Sequence, residues 1–329
     1  MNTINWGIIG CGDVTEIKSG PAFNKVPNSK LVAVMRRNAD KAADYAKRHQ
    51  IPRWYIDADK LINDAEVNAI YIATPPSLHE QYALAAIAAG KSVYVEKPMA
   101  LNYTAAKNIA TAAAEKNVKL VVAHYRRQWP LFKKLKELID TKAIGDVYLV
   151  KSELYKTTFT KEQLANESLA WRINPDISGG GIFNDLSPHQ LDILYYIFGP
   201  AKKITGIAIN QAGKYAADDI VAGNILFENN IVFSGAWCFN ATEQSDQCEI
   251  IGSNGKIRFS FFDGGGIELV LNNTKTVFNF DALQHVQQPM IEKTVQYFLG
   301  YAANPCTGAE GVEVMRWIEA FISDYNFPV

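Results

Sequence analysis

A carboxylate and an imidazole stand one helical turn apart in the second half of this sequence. Three consecutive glycines at 179–181 lead into a segment in which Asp185, His189 and Asp192 follow at intervals of four and three residues. That spacing places the three side chains on one face of a helix. A carboxylate beside an imidazole orients the ring and raises its basicity, which suits a general base near neutral pH. Glycines at this point allow close approach of the backbone to a ligand.

Two helix boundaries and three roles fit this segment. Ser187 and Pro188 fit the first positions of a helix over 187–198. Alternatively, the helix begins near Gly181 and contains Pro188. Asp185 and His189 stay close in both cases. Besides proton transfer, the pair fits a metal site, although no further His or Cys cluster supports one. It also fits a purely structural pairing of a capping Asp with a hydrogen-bonded His.

A lysine follows a short buried strand in the first half of the chain. Glu96-Lys97-Pro98 comes directly after the apolar segment Ser92–Val95. An unpaired ammonium is costly to bury, so Lys97 needs a partner, and Glu96 is a candidate. The peptide bond before Pro98 is a candidate for the cis form. The alternative is an ordinary turn with a surface lysine.

A glycine pair follows the first predicted strand. Ile4–Ile9 runs into Gly10-Cys11-Gly12-Asp13-Val14-Thr15. In dinucleotide-binding folds the first glycine makes the tight turn, and the second admits a pyrophosphate to a helix N-terminus. Thr15 stands where Gly or Ala is usual, so the match is partial. Dinucleotide contacts are predicted for Gly10, Gly12, Asp13 and Val14. Cys11 is interpreted as a small buried thiol, and Gly20-Pro21 predicts a short or broken helix.

Two arginines stand at the end of the next strand, 24 residues beyond Gly12. An NAD site usually has an acid here that binds the ribose 2′-hydroxyl. Arg36 and Arg37 suit a 2′-phosphate instead, which favours NADP over NAD as the cofactor. The alternative is a pair of solvated surface arginines.

Further ligand contacts are predicted in loops. The segment Ala73–His79 follows a buried strand, at the sheet edge where ligands bind in this architecture. Ser77 and Glu80 fit a capping box, and His79 fits either a ligand contact or a first-turn helix residue. Trp171-Arg172 precedes the glycine run and either lies over the cofactor or packs locally. The predicted cofactor contacts outside the glycine loop are Arg36, Arg37, Thr74, Pro75, Pro76, His79, Glu96, Lys97, Arg126, Trp171 and Arg172.

The elements that would position these residues divide the chain into two parts. In residues 1–123, short β-branched apolar runs alternate with Ala-, Lys- and Glu-rich helical patterns, which predicts a doubly wound parallel sheet. In residues 124–329, a run of strands joined by tight turns predicts a large antiparallel sheet, with two helices closing the chain. The first part is predicted to bind a dinucleotide, and the second to bind substrate and form oligomer contacts.

Composition excludes several classes of protein. The 329 residues are 48% hydrophobic, and 33 basic against 34 acidic side chains give a net charge of −1. This balance argues against a nucleic-acid-binding scaffold and against disorder. No run approaches the ~18 apolar residues of a membrane helix, and no secretion signal is visible. The four cysteines form no Cys-x-x-Cys pair. We expect a cytoplasmic, reduced protein with no metal site.

These motifs together resemble the Gfo/Idh/MocA oxidoreductases, which include glucose–fructose oxidoreductase and inositol dehydrogenase. The glycine loop, Ala-Thr-Pro-Pro with His79, Glu96-Lys97-Pro98 and Gly-Gly-Gly-x3-Asp-x3-His occur in the family's order over essentially the whole chain. The resemblance implies an α/β Rossmann domain followed by an α+β domain with a large, open, mostly antiparallel sheet. In the family that sheet commonly forms the subunit interface, which implies a homodimer or homotetramer.

The resemblance also implies roles for individual residues. Lys97 would contact the nicotinamide ribose and the substrate, and His189 would transfer the proton with Asp185 beside it. Other branches of the family carry Tyr where this chain has His189. Trp171-Arg172 resembles a cofactor-contacting pair of sugar reductases in the family. Thr15 and Arg36 depart from the family pattern, and both departures bear on which cofactor is bound.

The first functional hypothesis is an NAD(P)-dependent dehydrogenase or reductase. It would act on a secondary alcohol or ketone of a sugar, polyol or related cyclic compound. A second hypothesis is a redox-neutral enzyme that retains its nicotinamide, such as an epimerase or an oxidative glycosidase. A third is a non-catalytic sensor that binds NADP, although such a sensor would not need Lys97, Asp185 and His189 together.

Overall fold

Within the described part of the chain, a parallel sheet of six strands carries the glycine loop. The computed structural model describes residues 2–323, without the side chains of residues 167 and 168. The strands are β1 (Ile4–Ile9), β2 (Ser29–Met35), β3 (Arg53–Tyr55), β4 (Ala69–Ile72), β5 (Ser92–Val95) and β6 (Leu120–Val122). Their order is β3-β2-β1-β4-β5-β6, and all neighbours are parallel. This is the predicted doubly wound arrangement, with β4 buried along its whole length.

Helices connect these strands. They are α1 (Asp13–Ile17), α2 (Ala39–Arg48), α3 (Ala58–Ile62), α4 (His79–Ala88) and α5 (Tyr103–Glu115). The predicted interruption at Gly20-Pro21 is confirmed, because α1 has five residues and a 3₁₀ turn follows at Gly20–Asn24. The sequence did not predict β3 or α3. Each is too short to show a hydrophobic period.

A second sheet follows in the chain. Its strands are β7 (Val147–Thr157), β8 (Ala201–Ile209), β9 (Ile220–Phe227), β10 (Val232–Ala241), β11 (Ser245–Gly252), β12 (Gly255–Phe259), β13 (Ile267–Leu271) and β14 (Thr274–Phe278). The order is β14-β13-β12-β11-β7-β10-β9-β8. Neighbours are antiparallel except for the parallel pair β7 and β10. The predicted mostly antiparallel sheet is therefore confirmed.

The remaining helices include the one that carries Asp185 and His189. They are α6 (Pro130–Asp140), α7 (Lys161–Leu164), α8 (Glu167–Ala170), α9 (Pro175–Ser178), α10 (Ile182–Phe198), α11 (Gln288–Leu299) and α12 (Gly308–Ile322). Of the two boundaries predicted for α10, a start at Ser187 is wrong. The helix begins at Ile182 and contains Pro188. Across residues 2–323 no helix combines the length and the apolar composition needed to cross a bilayer.

The closing segment of the chain groups with the first sheet. Residues 2–128 and 283–315 form one compact unit, and residues 129–282 with 316–323 form another. The expected division after residue 123 assigned the whole closing segment to the second domain. In the structure, the Phe298 ring lies 5.5 Å from that of Trp6, and Lys119 Nζ donates to the carbonyl of Phe298 at 2.7 Å. Two amphipathic helices carry no sequence signal for which sheet they will cover, because either sheet offers an apolar face.

Candidate functional site

Backbone constraints at Gly10 shape the loop between β1 and α1. Gly10 has a φ of +95°, and its N–H donates to the carbonyl of Met35 at 2.9 Å. A Cβ atom at this position would lie 2.9 Å from the backbone of Ala73, so a side chain does not fit. At Gly12 the same test finds open space, with the nearest atom 4.0 Å away. The loop therefore leaves Gly12 accessible to a ligand, as a pyrophosphate would require.

Thr15 and Cys11 have structural roles in this loop. Thr15 is fully buried, and its Oγ1 donates to the carbonyl of Gly12 at 2.8 Å. Its own carbonyl accepts from the Tyr45 hydroxyl at 2.8 Å, and the side-chain hydrogen bond to Gly12 is one that a third glycine could not make. Burial raises the pKa of the Cys11 thiol to about 11. The thiol is consequently protonated at neutral pH, as expected for a small buried group. Asp13 and Val14 open α1.

The two arginines after β2 have different environments. Arg36 is half-buried, and its Nη1 donates to the carbonyl of Cys11 at 3.1 Å. Arg37 is exposed. The next residue, Asn38, caps α2 through a hydrogen bond from Lys41 N to its Oδ1 at 2.9 Å. Arg36 thus places a positive charge at the end of β2 and also stabilises the glycine loop through its hydrogen bond to Cys11. Arg37 places a second positive charge there, on an exposed side chain.

The loop after β4 enters its helix differently from the prediction. Residues Pro76–Leu78 form a 3₁₀ turn, and the N-cap of α4 is Leu78, without a side-chain cap. The predicted capping box at Ser77 and Glu80 is therefore wrong. Consecutive prolines fix the backbone at 75 and 76, so that Ser77 lies inside the turn. Glu80 instead accepts from Asn108 Nδ2 at 2.8 Å.

The His79 ring lies between two loops, the one after β4 and the one after β5. It is completely buried, with Nδ1 3.0 Å from the carbonyl oxygen of Pro98 and Nε2 2.8 Å from that of Thr74. Burial lowers the pKa of His79 to about 4, against the opposing effect of these acceptors. Because both ring nitrogens face backbone carbonyls and no surface is exposed, the position fits the structural alternative better than a ligand contact.

A buried hydrogen-bond network holds Glu96 at the end of β5. Its Oε1 accepts from the Tyr71 hydroxyl and from Gln287 Nε2, both at 2.5 Å. Its Oε2 accepts from the backbone N–H of Lys97 at 3.1 Å. Gln287 is 1% exposed, and its Oε1 accepts in turn from Tyr94 at 3.2 Å. The pKa of each tyrosine is raised well above its ordinary value by burial and by the Glu96 charge, so both hydroxyls remain donors.

This network places Lys97 at the carboxyl edge of the parallel sheet. Lys97 is half-buried, and the Lys97–Pro98 peptide bond is cis, as the sequence allowed. Burial, together with the charges of Arg127 and Lys97, holds the pKa of His124 well below its ordinary value. Arg126, a predicted cofactor contact, is 7% exposed, with its guanidinium 5.8 Å from the Tyr125 ring centre. Cationic groups therefore gather beyond β5 and β6.

The three glycines before α10 are required by the fold itself. All have positive φ, at +88°, +152° and +83°. A Cβ at Gly180 would lie 2.5 Å from Asn184 Oδ1, and one at Gly181 would lie 2.3 Å from Ala217 Cβ. Asn184 Nδ2 donates back to the carbonyl of Gly179 at 2.7 Å. The run therefore has a structural explanation that does not depend on a ligand.

An ion pair joins two of the predicted site segments. Arg172 Nε lies 3.3 Å from Asp185 Oδ2, and its guanidinium stacks 4.4 Å from the ring centre of Trp171. The sequence predicted a cofactor role for the Trp171-Arg172 pair, and an imidazole-orienting role for Asp185. The structure adds a direct ion pair between Arg172 and Asp185, in which the positive guanidinium balances the negative charge of the carboxylate.

His189 is nearly buried and lies beside an aromatic side chain that the sequence did not single out. His189 is 5% exposed, and the Phe262 ring stands edge to face with it at 5.9 Å. Asp246 holds the backbone of Phe262 with a hydrogen bond of 2.6 Å. Phe262, Asp246 and Gln287 were all missed. Each lies far along the chain from the group it supports, and their sequence surroundings contain no motif.

The residues around the glycine loop fit a dinucleotide cofactor. Gly12 is open on the side where a Cβ would project. Thr74 contributes a hydroxyl that is buried and has no hydrogen-bond partner among the described residues. Thr74 adjoins the loop, since its Cγ2 lies 2.9 Å from the Cβ position at Gly10. A hydroxyl donor and an unobstructed glycine suit a phosphate ligand. No group of three or more His, Cys, Asp or Glu side chains is gathered as metal ligands in residues 2–323.

Comparison with known proteins identifies the family. The model of the oxidoreductase family with an NAD-binding Rossmann fold matches residues 4–124, and that of the GFO/IDH/MocA C-terminal domain matches residues 132–258. Oxidoreductase P35 of Formosa agariphila is 46% identical, over 97% of this chain and 98% of that protein.

Solved structures share the fold. Levoglucosan dehydrogenase in complex with NADH and levoglucosan superposes with a TM-score of 0.86 at 22% identity, over 97% of this chain and 96% of that one. A putative NADPH-dependent oxidoreductase from Desulfitobacterium hafniense gives 0.84 at 19% identity, over 97% and 94%. With both family models and a closely related sequence in agreement, the chain belongs to the GFO/IDH/MocA family of NAD(P)-dependent oxidoreductases.

Proposed function

We propose that this enzyme transfers hydride between a nicotinamide dinucleotide and a secondary alcohol or ketone of a sugar, polyol or related cyclic compound. The observation that carries the proposal is the helix α10, which presents Asp185 and a nearly buried His189 one turn apart, with Arg172 paired to Asp185. The likeness to levoglucosan dehydrogenase supports the substrate class. When bound, the nicotinamide supplies the hydride acceptor or donor.

The chain's own residues would handle the proton and the charge. In the oxidative direction His189 takes the proton of the substrate hydroxyl. The Lys97 ammonium stabilises the negative charge that develops on the same oxygen. Asp185 is paired with Arg172 and orients the His189 imidazole. Glu96 keeps the backbone of Lys97 in place through the hydrogen bond to its N–H.

His189→Gln tests the proton-transfer role. We expect kcat to fall by about 100-fold or more, while the Kd for the cofactor changes less than threefold, because general-base catalysis contributes roughly 10²–10⁴ to the rate. His49→Gln is the matched control, since His49 follows the last residue of α2 and pairs with Glu16. Equal losses of turnover and cofactor affinity in His189→Gln would contradict the role. Lys97→Met combined with His189→Gln reports whether both groups act on one step, because such effects are then non-additive.

NADP is the proposed cofactor, with NAD as the alternative. Arg37 is exposed and pairs with no acidic side chain in the described residues 2–323, which suits a 2′-phosphate. We expect Arg37→Ala to weaken NADPH binding by about 10-fold and to leave NADH binding unchanged, because a hydrogen bond to a charged group contributes roughly 1.5–3 kcal/mol. Arg36→Ala should weaken both cofactors, since Arg36 also fastens the glycine loop.

Fluorescence titration with each cofactor measures these affinities. Lys47→Ala, at the opposite end of α2, removes one positive charge without approaching β2 and serves as the control. A wild-type preference for NADH, or an equal effect of Arg37→Ala on both cofactors, would refute the choice of NADP. Turnover of sugars without net absorbance change, by protein that keeps its nicotinamide through gel filtration, would instead favour a redox-neutral enzyme.

We further propose that the eight-stranded sheet forms a homodimer or homotetramer interface. Large apolar side chains are exposed on edge strand β8, where Ile207 is 64% and Ile209 is 49% exposed. A groove of about 920 Å³ lies on this sheet, lined by small residues such as Ala222, Ser234 and Ala236 and by charged ones such as Lys151 and Arg258. Ala236→Arg should lower the mass measured by light scattering to that of a monomer. An unchanged mass in that variant would contradict the sheet interface.

A further inference from the structure

Phe262 occupies a defined position beside His189, in a loop between β12 and β13. Its ring centre lies 5.9 Å from that of His189, with the planes at 76°. This is the edge-to-face geometry that aromatic pairs prefer. Phe262 remains half-buried, so part of the residue is open to solvent while its ring packs against the imidazole. Its neighbour Phe261 is 1% exposed and stacks 5.9 Å from Phe132 in the core. The two adjacent phenylalanines therefore differ in role.

A buried carboxylate fixes the backbone of this loop. Asp246 is 4% exposed, and its oxygens accept from the backbone N–H groups of Phe261, Phe262 and Asp263 at 3.1, 2.6 and 3.2 Å. The backbone carbonyl of Asp246 accepts from Ser260 Oγ at 2.6 Å. Three glycines at 264–266 follow at once, and Gly264 and Gly265 have no neighbours where a side chain would project. The Asp246 carboxylate thus fixes the backbone at 261–263, whereas the glycines at 264–266 that follow can adopt many backbone conformations.

The chemistry of a cyclic sugar or polyol fits this arrangement. One face of such a ring can present C–H bonds, which pack against an aromatic side chain, while its hydroxyls form hydrogen bonds. An accessible aromatic ring next to a proton-transfer residue would therefore hold a ring-shaped substrate by its apolar face. An open-chain polyol has no such preformed face and must be ordered first.

We propose that Phe262 contacts the substrate and selects cyclic over open-chain compounds, and that Asp246 is the residue that positions it. This inference rests on the proposed function, since it takes His189 as the group at which the substrate binds. Phe262 is assigned to substrate selection, and not to proton transfer.

Nuclear magnetic resonance tests the contact without any substrate. The protein, labelled with ¹³C at its five histidines, should show a ring-current shift of the His189 Hε1 signal, assigned with His189→Gln. Phe262→Leu keeps an apolar side chain but removes the ring, and should move that signal alone. Phe278→Leu is the matched control, because Phe278 is half-buried in the same sheet and packs against Lys134. An unmoved His189 signal in Phe262→Leu would overturn the inference, whatever the enzyme's reaction.

Kinetics test the selection. The probes are levoglucosan, D-glucose and myo-inositol as cyclic compounds and sorbitol as the open-chain compound. For the best cyclic probe, Phe262→Leu should raise KM by about 5- to 10-fold, the worth of an aromatic contact, with kcat changed less than about threefold. For sorbitol, KM should change less than about twofold. Phe262→Tyr should restore the wild-type KM, and Asp246→Asn should reduce selectivity in the same direction as Phe262→Leu.

The outcomes separate this inference from the proposed function. Equal changes in KM for cyclic and open-chain probes in Phe262→Leu would overturn substrate selection, even where His189→Gln abolishes turnover. Turnover that survives in His189→Gln would refute the proton-transfer role, while the histidine signals still report the contact. If no probe is turned over, calorimetry on the complex with NADPH measures the same selectivity as binding, and failure of every cyclic probe to bind would overturn the inference.

Discussion

Gln287 links the closing segment of the chain to the network that holds Glu96, and replacing it by leucine tests that link. The side chain is 1% exposed and makes two short hydrogen bonds, besides a longer one from its Nε2 to the Tyr71 hydroxyl at 3.4 Å. Its Nε2 donates to Glu96 Oε1 at 2.5 Å, and its Oε1 accepts from the Tyr94 hydroxyl at 3.2 Å. Gln287→Leu conserves volume closely but removes the amide, leaving the buried Tyr94 hydroxyl and the buried Glu96 carboxylate with fewer hydrogen bonds.

The expected loss follows from these two contacts. A hydrogen bond to a charged group contributes about 1.5–3 kcal/mol, and a neutral one about 0.5–1.5 kcal/mol. Burial of the more apolar leucine offsets roughly 1 kcal/mol of the sum. We therefore expect the free energy of unfolding to fall by about 2 kcal/mol, which corresponds to a decrease in Tm of roughly 3 °C in a chain of this size.

Thermal unfolding followed by circular dichroism, together with urea unfolding, measures this change. Gln288→Leu is the control, because Gln288 is half-exposed at the first position of α11, and it should stay within about 0.5 kcal/mol of the wild type. Gln287→Glu should be the more damaging variant at pH 8, because it places a second carboxylate against Glu96, and lowering the pH should reduce its loss. A Gln287→Leu protein as stable as the control would refute the stabilising role of the network.

Three further predictions concern single groups. Burial lowers the pKa of His79 in the folded protein to about 4, against an ordinary value of 6.5, so the unfolded chain binds the proton first as the pH falls. The free energy of unfolding therefore decreases between about pH 6.5 and pH 4, by about 3 kcal/mol in total. His79→Asn should flatten the pH dependence of urea unfolding in that range, and an unchanged slope would contradict this prediction. Gly181→Ala should lower the free energy of unfolding by about 2–4 kcal/mol, since it combines positive φ with a Cβ 2.3 Å from Ala217 Cβ. Gly213→Ala, with positive φ but open space around the new Cβ, should lower it by only about 1 kcal/mol. Equal decreases in the two variants, measured by urea unfolding, would show that the steric contact is unimportant. Cys11, whose pKa burial raises to about 11, should react slowly with iodoacetamide at pH 8 and fully in urea, as followed by peptide mass spectrometry; rapid labelling of the folded protein would contradict its burial.

Local patterns were sufficient for much of the fold. The strands Ile4–Ile9 and Ser92–Val95 agree with the sequence prediction, because each rests on a short-range hydrophobic pattern. Errors occurred where two local signals competed. At Ser187-Pro188 the N-cap pattern suggested a helix start, whereas Gly181 already turns the chain into α10.

Candidate site residues could be chosen from the sequence only where a motif marks them. Lys97 follows a buried strand, and Asp185 and His189 share a helical period, so their types and spacing were informative. Arg172 was predicted as a cofactor contact, but its ion pair with Asp185 was not foreseen. Phe262 carried no signal at all, because one aromatic residue among the 31 phenylalanines and tyrosines of the chain has no distinguishing pattern.

The sequence by itself determined the class of the protein, because a glycine loop after a buried strand, a lysine at a strand end and an Asp-x3-His helix are local features with local physical causes. Only the tertiary structure decided what surrounds those groups. Gln287 reaches Glu96 across 191 residues of chain, and His189 meets Phe262 across 73. Such contacts depend on how whole elements pack. The physical reason is that hydrogen bonds and aromatic contacts act over a few ångströms in space, whereas sequence patterns report only neighbours along the chain.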